Sequence, residues 1–222
     1  MYAARGDAIV AGYSLRDAIS YIWVGQSLIA VGAAWLFSDL KGAIRSGDVA
    51  VDLMRPWNFY AYWFSQQFGA RLFNLLTRGV FTYLIGILYF NARIPELDNL
   101  LPFALAIILS IIISCAFNFL ANASAFWMLD NNGVMTIASI IMMFFSGFMI
   151  PLSFMPAWLE TLARLLPFQA ITGLPIEILL GLRHGNQLWA ALGVQLVWAL
   201  TLTLAALAQM RAAMHKIVIQ GG

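Results

Sequence analysis

Few residues in this chain could do chemistry, and they are scattered. Asp39, Asp48 and Asp52 are close in sequence, but no histidine lies near them and Lys41, Arg45 and Arg55 are interspersed. Carboxylates neutralised in this way read as a solvated loop rather than a metal site. His184 and His215 are isolated from each other and from any nucleophile or carboxylate at catalytic spacing. Cys115 is the one cysteine and sits in an apolar run, so no intrachain disulfide can form. The chain has no G-x-x-x-x-G-K-[ST] loop, no H-E-x-x-H and no G-x-S-x-G. The residues therefore predict no catalytic site, no metal and no bound nucleotide in this chain.

Polar side chains inside apolar stretches are more informative. Gln67, Arg71, Asn74, Arg78 and Thr82 follow at spacings of four, three, four and four, which places them on one face of a continuous helix. An arginine at membrane depth costs a few to many kcal/mol unless it faces protein or water. This face reads either as the lining of a substrate path or as arginines snorkelling to headgroups and pairing with a neighbouring subunit. Ser110, Ser114, Asn118 and Asn122 repeat every four residues. Such a seam suits hydrogen bonding between membrane helices, with substrate contact at Ser114, Asn118 and Asn122 as the second reading.

The elements that position these residues follow from hydropathy. Of 222 residues, 62% are hydrophobic and 10% charged, and the mean hydropathy is +0.84. Soluble domains carry roughly a quarter charged residues, so this chain lacks the charge to cover a water-facing surface. A net charge of +2 gives no footprint for nucleic acid. A spanning helix takes about 20 apolar residues, and the runs at 18–37, 72–90, 100–129, 134–150 and 188–207 predict five spans. The expected fold is an all-α polytopic membrane protein forming a single transmembrane domain over residues 1–222. Tyr21, Trp23, Trp35 and Phe37 would mark the two interfaces of the first span. The aromatic residues 57–64 suit a segment at headgroup level, with Pro56 opening its helix. Residues 130–133 form a tight turn.

Residues 151–185 behave differently. Pro151, Pro156, Pro167 and Pro175 cut them into pieces too short to cross. Residues 157–166 are amphipathic, with Glu160 and Arg164 as an i,i+4 pair. Two short helices that dip into or lie on the membrane face are expected, before the last span. Residues 1–16 contain no apolar h-region and do not read as a signal peptide. Five spans put the termini on opposite sides. Lys41, Arg45, Arg55 and Arg71 near the first loop, with Arg211 and Lys216 in the tail, favour a cytoplasmic loop and C-terminus.

Two segments carry a family resemblance. Ile44, Gly47, Val49, Leu53, Arg55 and Pro56 trace the pattern I-x-x-G-x-(I/L/V)-x-x-x-L-x-R-P. This resembles the loop after a spanning helix in membrane subunits of type-2 ABC exporters, particularly bacterial permeases similar to daunorubicin and viologen exporters. The proline-rich stretch from Pro151 and Pro156 through Glu160 to Pro167, followed by Glu177 and Gly181, is similar to that family's extracellular helical hairpin. The resemblance implies an inner-membrane, multi-pass permease subunit that exports an amphiphilic substrate or drug. It would pair with a second permease, identical or homologous, within membrane lipid, and with a separate ABC ATPase that holds ATP and Mg. It also implies that Ile44, Arg45, Ser46, Gly47, Asp48, Asp52, Leu53, Arg55 and Pro56 couple to that ATPase. The alternative for the same residues is an interfacial turn that touches only headgroups, and for the whole chain a non-transporting membrane scaffold. The family usually has six spans, and the first is expected to be missing here, with residues 11–16 resembling the outside loop that follows it.

Overall fold

A computed structural model describes residues 12–32, 39–128 and 130–214. The belt residues Trp35 and Phe37, the tail residues His215 and Lys216, and residues 1–11 lie outside the described residues.

The regular elements are helical throughout. Helix α1 (Leu15–Ser27) opens on a capping box, in which the Ser14 hydroxyl accepts from the Asp17 N–H and the Asp17 carboxylate accepts from the Ser14 N–H. It breaks at Leu28 and continues as the short α2 (Ile29–Gly32). Two small helices follow, α3 (Asp39–Ser46) and α4 (Val49–Met54). Then α5 (Phe59–Asn74), a π-turn (Leu75–Gly79) and α6 (Val80–Phe90) form one long rod. Helix α7 (Leu97–Ala123) returns, and the short α8 (Asn132–Phe145) follows it. The proline-rich region supplies α9 (Ala157–Leu165) and α10 (Gly173–Leu179), and α11 (Asn186–Met214) closes the chain.

Among the described residues three rods, Phe59–Phe90 (the second rod of the fold, after α1–α2), Leu97–Phe126 and Asn186–Met214, are long and apolar enough to cross a membrane. Helix α8 has 14 residues, or about 21 Å at 1.5 Å per residue, short of a hydrocarbon core of about 30 Å.

The second rod starts earlier than hydropathy predicts. Asn58, not Pro56, caps α5, its side chain accepting from the Ala61 N–H at 2.9 Å. The aromatic run 59–64 forms the first turns of this rod rather than a separate headgroup segment, because Phe59, Tyr60 and Trp63 are buried. Phe59 and Tyr60 pack edge-on against Phe119 of α7. Helix α7 ends its regular turns at Ala123, six residues before the predicted 129, where Asn131 turns back to donate to the Ala121 and Asn122 carbonyls.

Two glycines decide how α1 meets the rod. A β-carbon on Gly79 would stand 2.7 Å from the Ser27 carbonyl, and one on Gly86 would stand 2.6 Å from the Trp23 ring. Without side chains there, the two backbones approach closely, as small residues allow in membrane helix pairs.

Candidate functional site

The segment that resembles a coupling loop forms two short helices joined at Gly47, whose φ of +84° suits a residue without a side chain. Leu40 and Val49 are buried, and Ile44 and Leu53 pack beside them. They rest on Phe59, Tyr60, Trp63, Phe119, Ala206 and Met210, so the segment is seated on the ends of α5, α7 and α11 at once. The exposed side carries Arg45, Ser46, Asp48 and Arg55 together with the apolar Val51, Met54 and Trp57. Ser46 donates to Asp48 at 2.6 Å across the glycine turn. Asp52 lies 3.9 Å from Arg55, whose guanidinium sits 4.8 Å from the Trp57 ring centre. Pro56 is exposed between them. Lys41 donates to Asn132 and Arg45 reaches Asp130 at 3.8 Å, fastening α3 to the turn between α7 and α8. The Asn132 N–H holds the Asp130 carboxyl below the usual carboxylate range, with Arg45 and Lys41 adding to the effect.

The predicted polar face of the second rod does not stay together. Gln67 and Arg71 are buried, Asn74 is half-buried and donates to the carbonyl of Ala70, and Arg78 is exposed. The π-turn explains the split, because one extra residue per turn shifts the register beyond Asn74. Arg71 is 0% exposed and donates to the Val31 carbonyl at 2.7 Å, to Ser114 and to Gln67. It thus ties the broken end of α2 to α7.

The seam on α7 is buried along its whole length. Asn122 donates to the Asn118 side chain and carbonyl at 2.9 Å. Ser110 donates to the Ala170 carbonyl, and the amide of Gln195 on α11 donates to Ala106, Ser110 and Ala170. Gln195 escaped the sequence reading, and its signal was a lone amide in an otherwise apolar run.

Pro151 and Pro156 flank the turn before α9, and Pro167 opens a buried 3-10 turn. Helix α10 is buried at every position. Its Glu177 accepts from Arg183 at 2.6 Å, while Glu160 accepts twice from Arg164 on α9. Arg93 is a second omission of the sequence reading. Its side chain reaches Asp17 at 2.9 Å and the Leu180 carbonyl at 3.3 Å, its N–H donates to Ser20, and its carbonyl accepts from Tyr83. One residue so joins α1, α6 and the exit of α10. Among the described residues no group of three or more His, Cys, Asp or Glu could hold a metal ion.

A bundle of long apolar rods, polar side chains buried between them and a charged pair of small helices at one end define a multi-pass helical membrane protein. The family model of ABC-2 family transporter proteins matches residues 3–221, and the chain belongs to that family. Such a chain is the transmembrane subunit of an ABC transporter, not its ATPase, and the family implies association with an ABC ATPase subunit. No curated protein and no solved structure matches the chain.

Proposed function

We propose that this chain is one of two permease subunits of an exporter that moves an amphiphilic substrate or drug out across the inner membrane. The observation that carries this reading is the seating of α3 and α4. Their apolar side rests on the ends of α5, α7 and α11, and their charged side, with Arg45, Ser46, Asp48 and Arg55, faces outward. A partner ATPase that binds ATP and Mg would push this surface when it closes, and the three rods would move with it. Five spans, with the C-terminus and the α3–α4 segment cytoplasmic and the α9–α10 region outside, fit the placement of basic residues. The second permease, identical or homologous, would cover part of the long rod Phe59–Phe90, where Phe73, Phe81 and Leu88 are exposed. Lipid would cover the rest. The daunorubicin and viologen branch rests on the motif resemblance at Ile44 to Pro56.

The test is copurification with the ATPase, followed by substrate-stimulated ATP hydrolysis in the reconstituted complex. Arg45→Glu combined with Asp48→Lys is expected to weaken capture of the ATPase and abolish stimulation. Unchanged coupling and export in that variant would remove these residues from the docking surface. A chain that captures no ATPase would instead fit a non-transporting scaffold.

A further inference from the structure

Opposite the α3–α4 end, an open recess of about 530 Å³ lies between Tyr13, Ser153, Arg164, Glu177, Arg183 and Gln187. Its volume falls within the range of small-ligand sites, roughly 300–1,000 Å³. Tyr13 and Ser153 come from the segment before α1 and from the hairpin, while Arg183 belongs to the turn into α11 and Gln187 to its first turn.

The polar atoms in this recess are unevenly used. Arg183 spends its Nε on Glu177, and its two terminal nitrogens form no hydrogen bond among the described residues. Arg164 uses Nε and Nη2 on Glu160 and leaves Nη1 over. The Gln187 side chain makes no hydrogen bond among the described residues. Burial, with Glu177 nearby, pushes Tyr13 far above the ordinary tyrosine range, so it stays a donor. Glu177 accepts from Arg183 through Oε2 only, leaving Oε1 unengaged among the described residues.

These groups sort by sign. Donors from Arg164, Arg183 and Gln187 can surround a group rich in acceptor oxygens, and the open oxygen of Glu177 can accept from an ammonium. The two guanidinium groups are balanced by Glu160 and Glu177, so the recess offers a bare anion no net attraction. A ligand carrying both charges satisfies both halves. We infer that this recess binds a zwitterionic head group, a phosphate bearing a primary ammonium a few bonds away. The head group can come from a bilayer lipid or from a free solute. The inference needs only the geometry of this end and does not lean on coupling to an ATPase.

Native mass spectrometry of the detergent-solubilised full chain tests it, with phosphatidylethanolamine and phosphatidylglycerol of equal acyl chains as probes. Phosphatidylethanolamine should be retained about tenfold better, a difference worth about 1.4 kcal/mol. Glu177→Gln should erase that preference, and Gln187→Trp should block binding of the ethanolamine lipid. Gln187 is exposed and outside both ion pairs, so this second variant is expected to fold. Trp158→Ala, on the exposed face of α9, should change nothing. Displacement of the lipid by soluble phosphoethanolamine would show that a free zwitterion suffices, whereas retention against it would assign the occupant to the bilayer. Equal retention of both lipids by the unaltered chain, or undiminished binding by Gln187→Trp, would overturn the inference. Loss of ATPase capture with lipid preference intact would bear on the permease reading alone.

Discussion

At the α3–α4 end of the bundle, Arg45 on α3 and Asp48 and Arg55 flanking α4 stand in solvent, on helices of eight and six residues. At the hairpin end, Glu177 is buried within α10, Asp17 is buried beneath Arg93, and the intervening turns are held by side chains from three elements. The first end keeps its charges on a small body resting on aromatic residues. The second pairs its charges within and between elements and leaves an open recess among them. A surface built to be pushed by another protein needs exposed charge on an apolar seat, whereas an end that ties several elements together needs its charges paired between them.

The contrast can be broken most severely through the two cores. Phe119→Ala would remove the ring that Phe59 and Tyr60 pack against, and Ile176→Ala would hollow α10, each costing about 2–5 kcal/mol. Thermal unfolding in detergent measures the loss. Phe119→Ala should also free α3 and α4, read as faster hydrogen exchange over residues 39–54, while Ile176→Ala should leave that segment unchanged. If both variants loosen both ends, the ends are not independent.

A smaller effect is expected at Arg93. Arg93→Gln removes the ion pair with Asp17 and the contact with the Leu180 carbonyl, but 43% of the side chain is exposed and solvent offsets part of the loss. A cost of about 1 kcal/mol is expected after that discount. Hydrogen exchange should rise in residues 91–96 and 173–182 and not in residues 39–54.

Much of the architecture was legible in the residues. Asn132 and Gly133, expected in a tight turn, open α8 instead, whereas the three long rods and the proline-cut region followed from apolar run lengths and proline spacing. The beginning of the second rod did not, because an aromatic cluster suits a headgroup belt and a helix packing site equally well. Only the approach of Phe119 decides between them. The polar face from Gln67 to Arg78 failed for another reason. Spacing assumes a uniform helix, and nothing in the hydropathy pattern announces the π-turn at Leu75–Gly79. Arg93 and Gln195 were hidden because most of their partners, side chains and backbone carbonyls alike, lie far away in sequence, which no spacing rule reaches.

The proposed coupling surface, the exposed side of α3 and α4, should be nearly silent in stability. Arg45→Glu is expected to leave the unfolding temperature unchanged, since both partners of its pair with Asp130 are largely exposed. The same variant should lower the yield of copurified ATPase. A large loss of stability would mean that this charge holds the fold rather than a partner, and would erase the distinction between the two ends.

The smallest effect belongs to pH. Asp130 is held below the usual carboxylate range chiefly by the Asn132 N–H, so its proton is bound more weakly in the folded chain than in the unfolded one. A depressed carboxyl contributes its stability above the unfolded value and loses it as pH falls through the folded value. The Lys41 and Arg45 fastening to the α7–α8 turn should therefore be constant across neutral pH and loosen only in acid, below the ordinary carboxylate range. Hydrogen exchange over residues 39–46 and 130–135, followed as the pH is lowered, measures it. The Asp130→Asn variant should show no such acid step. If the step persists in that variant, Asp130 does not set it.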